Sequence, residues 1–219
     1  MNSLETVTVE TGPNPTFSII WMHGLGADGH DFELLVPELL EDGMPTMRFV
    51  FPHAPVRPVT INNGMRMRAW YDILQFGDGP EDQQGIRASQ VLLENLIIAE
   101  KKKGIQAGKI VLAGFSQGGA IVLQTGLRHA ERLAGILALS TYLPIAETLQ
   151  KEKSKANQDL PIFMAHGSYD DIIPIKRAED SRNFLEQLGY RIEWHGYPMP
   201  HSVCGEEIGH IASFLTTLL

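Results

Sequence analysis

The sequence predicts an α/β protein in which a mostly parallel sheet is covered by helices. Short apolar segments alternate along the chain with amphipathic segments of helical length, as in repeated strand–helix–strand units. Several apolar segments, such as 109–113 and 134–139, are continuous, which is typical of parallel strands buried on both faces. The first segment alternates instead, with apolar residues at Val7 and Val9, and this favours an antiparallel strand at the sheet edge.

The first third of the chain predicts three strands and one helix. The strands are expected over 7–9, 17–22 and 48–51. Turn residues at 12–15 separate the first two strands, and apolar residues at helical spacing predict a helix over 31–42. Pro37 lies inside that helix and lacks an amide hydrogen, so we expect it to delay or kink the helix.

Residues 52–79 form a long segment with no sustained period, and they contain three prolines and three glycines. Asn63-Gly64 is a typical tight-turn pair and is expected to close a small hairpin. A loop this long inside a compact domain is usually functional. We therefore expect its bulky side chains to line a substrate pocket, namely Trp70, Tyr71, Leu74 and Phe76.

Regular alternation returns in the second half of the chain. A helix is predicted from Pro80 to Lys103, where Gly104 ends it and three terminal lysines face the negative end of its dipole. A polar surface loop is expected over 150–159. The other helices are predicted over 117–129, 175–188 and 205–218, and the other strands over 109–113, 134–139, 161–165 and 190–194.

Composition narrows the classes of function. The chain has 219 residues, of which 43% are hydrophobic, and this predicts one globular domain over 1–219. Its 18 basic and 26 acidic side chains give a net charge of −8, which disfavours binding to nucleic-acid phosphates. Cys204 is the single cysteine, so no internal disulfide can form, as expected for a reducing compartment. With no signal-peptide pattern and no apolar run of spanning length, we expect a cytoplasmic protein.

The most informative motif is Gly-Phe-Ser-Gln-Gly at 114–118, which matches the pattern GxSxG. It directly follows a predicted buried strand and opens a predicted helix, which is the setting of a nucleophile elbow. A sharp strand-to-helix turn strains the serine backbone, and flanking glycines let neighbouring backbone approach it. Ser116 is therefore the candidate nucleophile, the alternative being a glycine-rich helix start with an incidental serine.

A serine nucleophile requires a general base, which in turn needs an orienting carboxylate. His201 lies in a proline-stiffened loop between the last strand and the last helix, and we expect it to be the base. His129 and His210 lie inside predicted helices, and His195 lies at the end of a strand, so these positions are less suitable.

The candidate acid follows the preceding strand, where Asp170 and Asp171 are adjacent. Neighbouring side chains diverge, so only one of them can face His201, and position alone does not choose between them. A metal site formed by His166, the two aspartates and His201 is the other interpretation of these residues. The sequence disfavours that site because it contains no HExxH pattern and no paired-histidine spacing.

Acyl transfer also requires hydrogen-bond donors for the developing oxyanion. The backbone N–H of Gln117, immediately after the candidate nucleophile, is one expected donor. The glycine-rich segment 23–29 follows an early strand and is expected to supply the other, from the N–H of Leu25. An ordinary glycine turn or a phosphate loop are the alternatives, and a phosphate loop would require a lysine that this segment lacks.

Five motifs occur in a characteristic order along the chain. They are His-Gly-Leu-Gly at 23–26, Arg-Ala-Trp-Tyr-Asp at 68–72, Gly-Phe-Ser-Gln-Gly-Gly at 114–119, His-Gly-Ser-Tyr-Asp at 166–170 and Pro-His-Ser at 200–202. Together they resemble the small carboxylesterase, acyl-protein thioesterase and lysophospholipase family of α/β hydrolases. The resemblance extends from about residue 16 to the C-terminus, and its closest members are expected to be bacterial.

The resemblance implies an α/β-hydrolase fold without a large cap domain and a serine hydrolase that uses no cofactor and no metal. It implies Ser116 as nucleophile, Asp170 as acid, His201 as base, and Leu25 and Gln117 as oxyanion donors. Related proteins often form homodimers through apolar surface near the pocket loop, so the resemblance also implies a dimer. A transient contact of the same loop with a membrane surface stays open.

The expected function is hydrolysis of short- to medium-chain acyl esters through an acyl-enzyme intermediate. An acyl-protein thioesterase or a lysophospholipase, acting on a lipidated protein or a lysophospholipid, is the alternative. The charge of −8 is a mild argument against strongly anionic substrates such as phospholipids. A module that binds acyl groups without cleaving them is a remote third alternative.

Overall fold

The computed structural model describes residues 4–75, 77 and 79–219. Its strands, in chain order, are β1 (Thr6–Glu10), β2 (Phe17–Met22), β3 (Met47–Pro52), β4 (Val56–Val59), β5 (Met65–Arg68), β6 (Ile110–Phe115), β7 (Gly135–Leu139), β8 (Ile162–Gly167) and β9 (Ile192–Tyr197). Its α-helices are α1 (Gln83–Lys102), α2 (Gln117–Gly126), α3 (Ala146–Glu152), α4 (Ile175–Gln187) and α5 (Gly205–Leu218).

Seven strands form one sheet in the order β1-β3-β2-β6-β7-β8-β9. β1 is antiparallel to β3, and the other neighbouring pairs are parallel. The predicted mostly parallel sheet with an antiparallel edge strand is therefore confirmed. β4 and β5 form a separate antiparallel hairpin, and Asn63 adopts a left-handed conformation in the turn between them, at φ 54°.

Helices cover both faces of the sheet. α1, α2, α3 and α4 bury apolar side chains on one face, among them Leu93, Leu123 and Leu185. α5 and a 3-10 helix over Glu33–Leu39 cover the other face. In the described part of the chain, no segment between consecutive strands forms a large cap domain. None of the described helices combines the length and the apolar character needed to cross a membrane.

The segment 31–42 differs from the predicted helix. Only Glu33–Leu39 is helical, as a 3-10 helix that contains Pro37. Proline cannot donate to the carbonyl four residues earlier and its ring clashes with that carbonyl, so a regular α-helix does not continue through it. The apolar residues that predicted this face are Phe32, Leu35 and Leu39; Phe32 and Leu39 are buried and Leu35 packs against the same core, so the spacing identified the correct packing face.

The prediction of a polar loop over 150–159 is wrong in part. α3 extends to Glu152, and a 3-10 helix follows over Lys155–Asn157. Leu149 is fully buried and anchors α3 against the core. Glu152 accepts hydrogen bonds from Arg87 at 2.6 Å and Arg128 at 2.7 Å. Charged residues in this segment thus bind partners distant in the sequence, which a polar local composition does not reveal.

The start of α2 packs directly against the end of β2. A Cβ atom on Gly118 would lie 2.3 Å from the carbonyl oxygen of Met22 and 2.6 Å from that of His23. Real Cβ atoms do not approach backbone oxygens this closely, so the contact requires glycine. This close approach places the end of β2 beside the turn that contains Ser116.

We expect Gly118→Ala to lower the free energy of unfolding by about 1–3 kcal/mol, because the added methyl must push two backbone carbonyls away. Urea denaturation of both proteins measures the change. Gly209→Ala is the matched control, since Gly209 is exposed on α5 and an added Cβ there meets nothing within 4 Å. The control should be neutral or stabilising by about 0.5–1 kcal/mol. Equal effects of the two substitutions would contradict the close approach at Gly118.

Candidate active site

Ser116 lies in the turn between β6 and α2 with a strained backbone, at φ 55° and ψ −121°. Residues other than glycine rarely adopt positive φ, and such strain persists only where the surroundings enforce it. The Ser116 N–H donates to the carbonyl of Leu139 at 2.8 Å, and its own carbonyl accepts from Thr141 Oγ1 at 2.7 Å. Leu139 ends β7 and Thr141 follows it, so the neighbouring strand holds this turn in place.

His201 lies in the loop between β9 and α5, and its imidazole faces Ser116. Nε2 is 2.9 Å from Ser116 Oγ. The Phe115 ring packs against the imidazole with 4.8 Å between ring centroids, and only 15% of the His201 side chain is exposed. The imidazole is therefore confined to an orientation that points at the hydroxyl.

Asp170 completes a hydrogen-bonded chain. Its Oδ2 lies 2.7 Å from His201 Nδ1, and its Oδ1 accepts from the amides of Ile172 at 2.9 Å and Ile173 at 2.8 Å. A carboxylate only accepts, so Nδ1 carries the hydrogen and Nε2 can accept from the Ser116 hydroxyl. Asp171, which the residues alone left as an alternative, is exposed.

His166 is a further neighbour of the acid. From the sequence, His166 was a candidate only as a metal ligand. It is fully buried, and its Nε2 donates to the Ile173 carbonyl at 2.8 Å and lies 3.2 Å from Asp170 Oδ2. Burial lowers the pKa of His166, which favours its neutral form. Among the described residues, no three His, Cys, Asp or Glu side chains are grouped to hold a metal ion.

The N–H of Leu25 is oriented through the carbonyl of the same peptide. His23 Nδ1 donates to the Gly24 carbonyl at 2.7 Å, and His23 Nε2 accepts from the Ala54 amide at 3.0 Å. Burial lowers the pKa of His23 to about 4, so the ring is neutral and keeps this tautomer. In a planar trans peptide the C=O and N–H point in opposite directions. The Gly24 carbonyl turned toward His23 therefore directs the Leu25 N–H the other way.

Gln117 is oriented by the same geometry. Its N–H shares a peptide plane with the Ser116 carbonyl, which Thr141 and the Ala120 amide bind at 2.7 and 3.1 Å. Within the described residues, neither this N–H nor that of Leu25 donates to another group. A Cβ on Gly24 would lie 3.4 Å from Ser116 Cβ, so both free donors come from backbone next to the serine. Such a pair can stabilise an oxyanion.

A cavity of about 420 Å³ opens onto Ser116 and His201, a size typical of small-molecule sites. Leu25 and Gln117 contribute to its wall. Its apolar lining includes Ile61, Ile73, Leu74, Phe115, Ile172 and Ile173. A mainly apolar cavity that ends at a serine and a histidine suits an acyl chain whose carbonyl reaches the hydroxyl.

The four residues predicted to line the pocket have different positions. Tyr71 and Leu74 line the cavity, and Phe76 lies outside the described residues. Trp70 is a correction, because it is completely buried in the core and does not contribute to the cavity wall. Its indole N–H donates to the His23 carbonyl at 2.9 Å, and a buried tryptophan is oriented by the acceptor that its N–H requires.

One part of the cavity wall is polar and was not predicted from the sequence. The Tyr71 and Tyr142 hydroxyls are 2.9 Å apart, and the Arg177 guanidinium lies 3.4 Å from the Tyr142 ring centroid. Glu81 accepts from Arg177 at 3.4 Å. The position of Tyr142 in the chain could have identified it. Tyr142 follows β7, and ligands of parallel sheets bind at the carboxyl ends of the strands.

Comparisons with known proteins agree with this geometry. A family model described as phospholipase/carboxylesterase matches residues 4–219. Acyl-protein thioesterase 1 of Gibberella zeae is 40% identical over 210 residues, which cover 91% of this chain and 89% of that protein. Acyl-protein thioesterase 1 of Neurospora crassa is 40% identical over 215 residues, covering 93% and 87%. These relatives are fungal and do not support the expected bacterial affinity.

Solved structures show the same fold. Arabidopsis thaliana SOBER1 superimposes with a TM-score of 0.88 at 27% identity, covering 92% of this chain and 98% of that one. Acyl-protein thioesterase 2 of Zea mays has a TM-score of 0.85 at 26% identity, covering 98% of both chains. The overall fold of this chain is therefore shared with these two proteins.

The helix that follows the base loop gives a prediction about pH. Glu207 is fully buried in the first turn of α5, and burial raises its pKa to about 8, whereas its ordinary value is 4.5. Between these two pKa values the Glu207 carboxyl is protonated in the folded chain and ionised in the unfolded chain. Its contribution to stability is therefore complete below pH 4.5 and is lost as the pH rises through 8. We expect Glu207→Gln to remove this loss.

Thermal unfolding of both proteins from pH 4 to pH 9 measures the effect. As the pH rises from 4 to 9, the unfolding free energy of the glutamine variant should increase by a few kcal/mol relative to that of wild type. Glu206→Gln is the control, because Glu206 is the exposed neighbour on the same turn. Parallel pH profiles for wild type and Glu207→Gln would contradict a buried, protonated carboxyl.

Proposed function

Because the chain belongs to the phospholipase/carboxylesterase family of α/β hydrolases, and is thus a hydrolase of carboxylic esters or thioesters, we propose that Ser116, His201 and Asp170 are its catalytic triad. The observation that carries this proposal is the chain of hydrogen bonds from Asp170 Oδ2 through the imidazole to Ser116 Oγ, at the wall of the cavity. Nucleophile, base and orienting acid act as a unit in this arrangement.

In the proposed acylation step, His201 Nε2 removes the proton from Ser116 Oγ while the oxygen attacks the acyl carbonyl. The imidazolium that forms is stabilised by the carboxylate of Asp170, which also accepts hydrogen bonds from the amides of Ile172 and Ile173. The N–H groups of Leu25 and Gln117 then bind the oxyanion of the tetrahedral intermediate. Collapse of this intermediate expels the thiol or alcohol, which takes the proton from His201.

Deacylation repeats the same steps with water as the nucleophile. His201 removes a proton from the water as its oxygen attacks the acyl-Ser116 carbonyl, and the same two amides bind the oxyanion. The carboxylic acid leaves, and Ser116 recovers its proton from the imidazolium. No group beyond these side chains and backbone amides is required by the proposed cycle.

The proposed substrate class is the S-acyl thioester of a lipidated protein. The support is the level of similarity to proteins named acyl-protein thioesterase 1, at 40% identity over about nine tenths of both chains. The apolar cavity is consistent with a long acyl chain, because each buried methylene contributes about 0.8 kcal/mol. Short- to medium-chain oxygen esters, the first expectation from the sequence, become secondary substrates of the same site.

Further sequence expectations stay proposals. We propose one domain over residues 1–219, a cytoplasmic location and a homodimer. We also propose a transient membrane contact, supported by exposed apolar side chains beside the candidate site, since Leu74, Tyr169 and Ile172 are 40%, 70% and 52% exposed. Apolar surface at a cavity mouth is typical of an interaction site.

Replacing the proposed nucleophile should abolish turnover without unfolding the protein. We expect Ser116→Ala to lower kcat by a factor of about 10³ or more. A fluorophosphonate should label wild type, with the added mass mapped to Ser116. Ser213→Ala, at an exposed position on α5, is the control and should keep full activity. Near-normal turnover by Ser116→Ala would overturn the triad, and an unlabelled wild type would favour a binding module without catalysis.

Matched substrates test the proposed substrate class. One peptide is prepared with a palmitoyl, octanoyl or butyryl group on cysteine, and again on serine, so that only chain length and the leaving atom vary. We expect kcat/KM to be highest for the palmitoyl thioester and at least about tenfold above the butyryl oxygen ester, because the longer chain buries more apolar surface. A preference for butyryl oxygen esters would favour the carboxylesterase, and faster cleavage of palmitoyl lysophosphatidylcholine would favour a lysophospholipase.

A further inference from the structure

Trp70 connects the two backbone segments that carry the proposed oxyanion donors. Its indole N–H donates to the His23 carbonyl at 2.9 Å, and its backbone N–H donates to Gln117 Oε1 at 2.7 Å. Its own carbonyl accepts a hydrogen bond from the hydroxyl of Ser89 on α1. All three polar groups of this completely buried residue therefore have partners.

We propose that Trp70 is a positioning residue that holds the Leu25 and Gln117 amides at a fixed separation. This inference rests on the proposed function, because it assigns Trp70 a role in orienting the oxyanion donors. The two donors lie 92 positions apart in the sequence and belong to different elements. Trp70 is bonded to both sides at once.

The contact on the Gln117 side is double. Gln117 Oε1 accepts from the Trp70 amide, and Nε2 donates to the Tyr71 carbonyl, both at 2.7 Å. The side chain is buried, and its amide is thus clamped in one orientation. The backbone N–H of the same residue is the proposed donor, so a shift of the segment 70–71 would be transmitted to it.

The contact on the other side acts through His23. The indole N–H binds the His23 carbonyl, and the two rings pack with 5.2 Å between centroids. His23 in turn binds the Gly24 carbonyl, whose peptide carries the Leu25 N–H. Displacing the His23 backbone would therefore rotate that peptide plane and move the donor.

Small displacements matter at this position. Oxyanion donors act over hydrogen-bond distances of about 3 Å, and removing one donor completely costs a factor of about 10²–10³ in kcat. Removing a hydrogen bond of Trp70 leaves both donors present but less well aligned, so the expected loss in kcat is smaller. The binding of the acyl chain, which involves other residues, should not change.

The chain contains a matched control in Trp21. It is 2% exposed, it lies on β2 two residues before His23, and in the described part of the protein its indole nitrogen has no hydrogen-bond partner. Trp21→Phe and Trp70→Phe remove the same atoms from a buried site, but only Trp70→Phe removes a hydrogen bond. A general cost of repacking would affect both variants.

Both variants are compared with wild type in three assays. These are steady-state kinetics on the palmitoyl-thioester peptide, inhibition by a palmityl trifluoromethyl ketone, and inhibition by 1-hexadecanol. The ketone forms a tetrahedral oxyanion on the serine, whereas the uncharged alcohol reports on binding of the alkyl chain. We expect Trp70→Phe to lower kcat and to weaken inhibition by the ketone by about tenfold to a hundredfold, with KM and inhibition by hexadecanol within twofold of wild type. Trp21→Phe should stay within twofold throughout.

Two results would overturn the inference. One is a Trp70→Phe variant that behaves like Trp21→Phe. The other is a change in KM and acyl-length preference with unchanged ketone affinity, which would make Trp70 a pocket residue. If Trp70→Phe does not fold, Ser89→Ala is tested instead, because it removes only the hydrogen bond to the Trp70 carbonyl. It should lower kcat and weaken inhibition by the ketone in the same way, with smaller changes.

The rate of Ser116 phosphonylation separates this inference from the proposed function. A fluorophosphonate oxygen requires the same donors, and its reaction involves no thioester. If wild type is phosphonylated but cleaves no acyl peptide, the proposed substrate fails. The ratio of phosphonylation rates between Trp70→Phe and Trp21→Phe then decides the role of Trp70, and equal rates would refute it.

Discussion

The strained backbone of Ser116, with its positive φ, is the constraint on which the whole site depends. β7 enforces it, because Leu139 accepts from the Ser116 amide and Thr141 donates to the Ser116 carbonyl. The turn projects the hydroxyl toward His201 and starts α2 immediately, and α2 can start there only because Gly118 lets its first turn touch the carbonyls of β2. The strain at one residue is thus supported by packing across three adjacent strands.

Because peptide groups are planar, this packing also fixes the direction of two backbone N–H groups beside Ser116. A carbonyl that is held on one side directs the N–H of the same peptide to the other side. Thr141 holds the Ser116 carbonyl and neutral His23 holds the Gly24 carbonyl, so the next amide in each case, Gln117 or Leu25, is left free. The two proposed donors are therefore held in place by hydrogen bonds that they do not themselves make, and such preorganisation is what electrostatic stabilisation of an oxyanion requires.

Much of the fold could be predicted from local patterns. The errors share one cause, which is that a local pattern does not show which distant segments pack together. Pro37 changed the type of a helix whose apolar face was correctly identified, and Leu149 anchored a helix in a segment of polar composition. Trp70 was assigned to the cavity because it lies in an irregular loop beside residues that do line it. Arg177 and its contact with Tyr142 were not predicted, because the two residues meet only after α4 packs beside the segment that follows β7.

The sequence by itself determined the alternation of strands and helices and the candidate nucleophile, because hydrophobic periodicity and the GxSxG turn are properties of neighbouring residues. It also indicated His201 as the candidate base, because the other histidines considered lie inside helices or at the end of a strand. The motif resemblance implied Asp170, whereas position alone left Asp171 open, and the tertiary structure shows that Asp170 is the one that meets His201. Only the tertiary structure decided that Trp70 faces the backbone behind the site instead of the cavity. Those outcomes depend on distances between segments that are far apart in the chain, and such distances exist only once the sheet has formed and its carboxyl edge has brought the loops together.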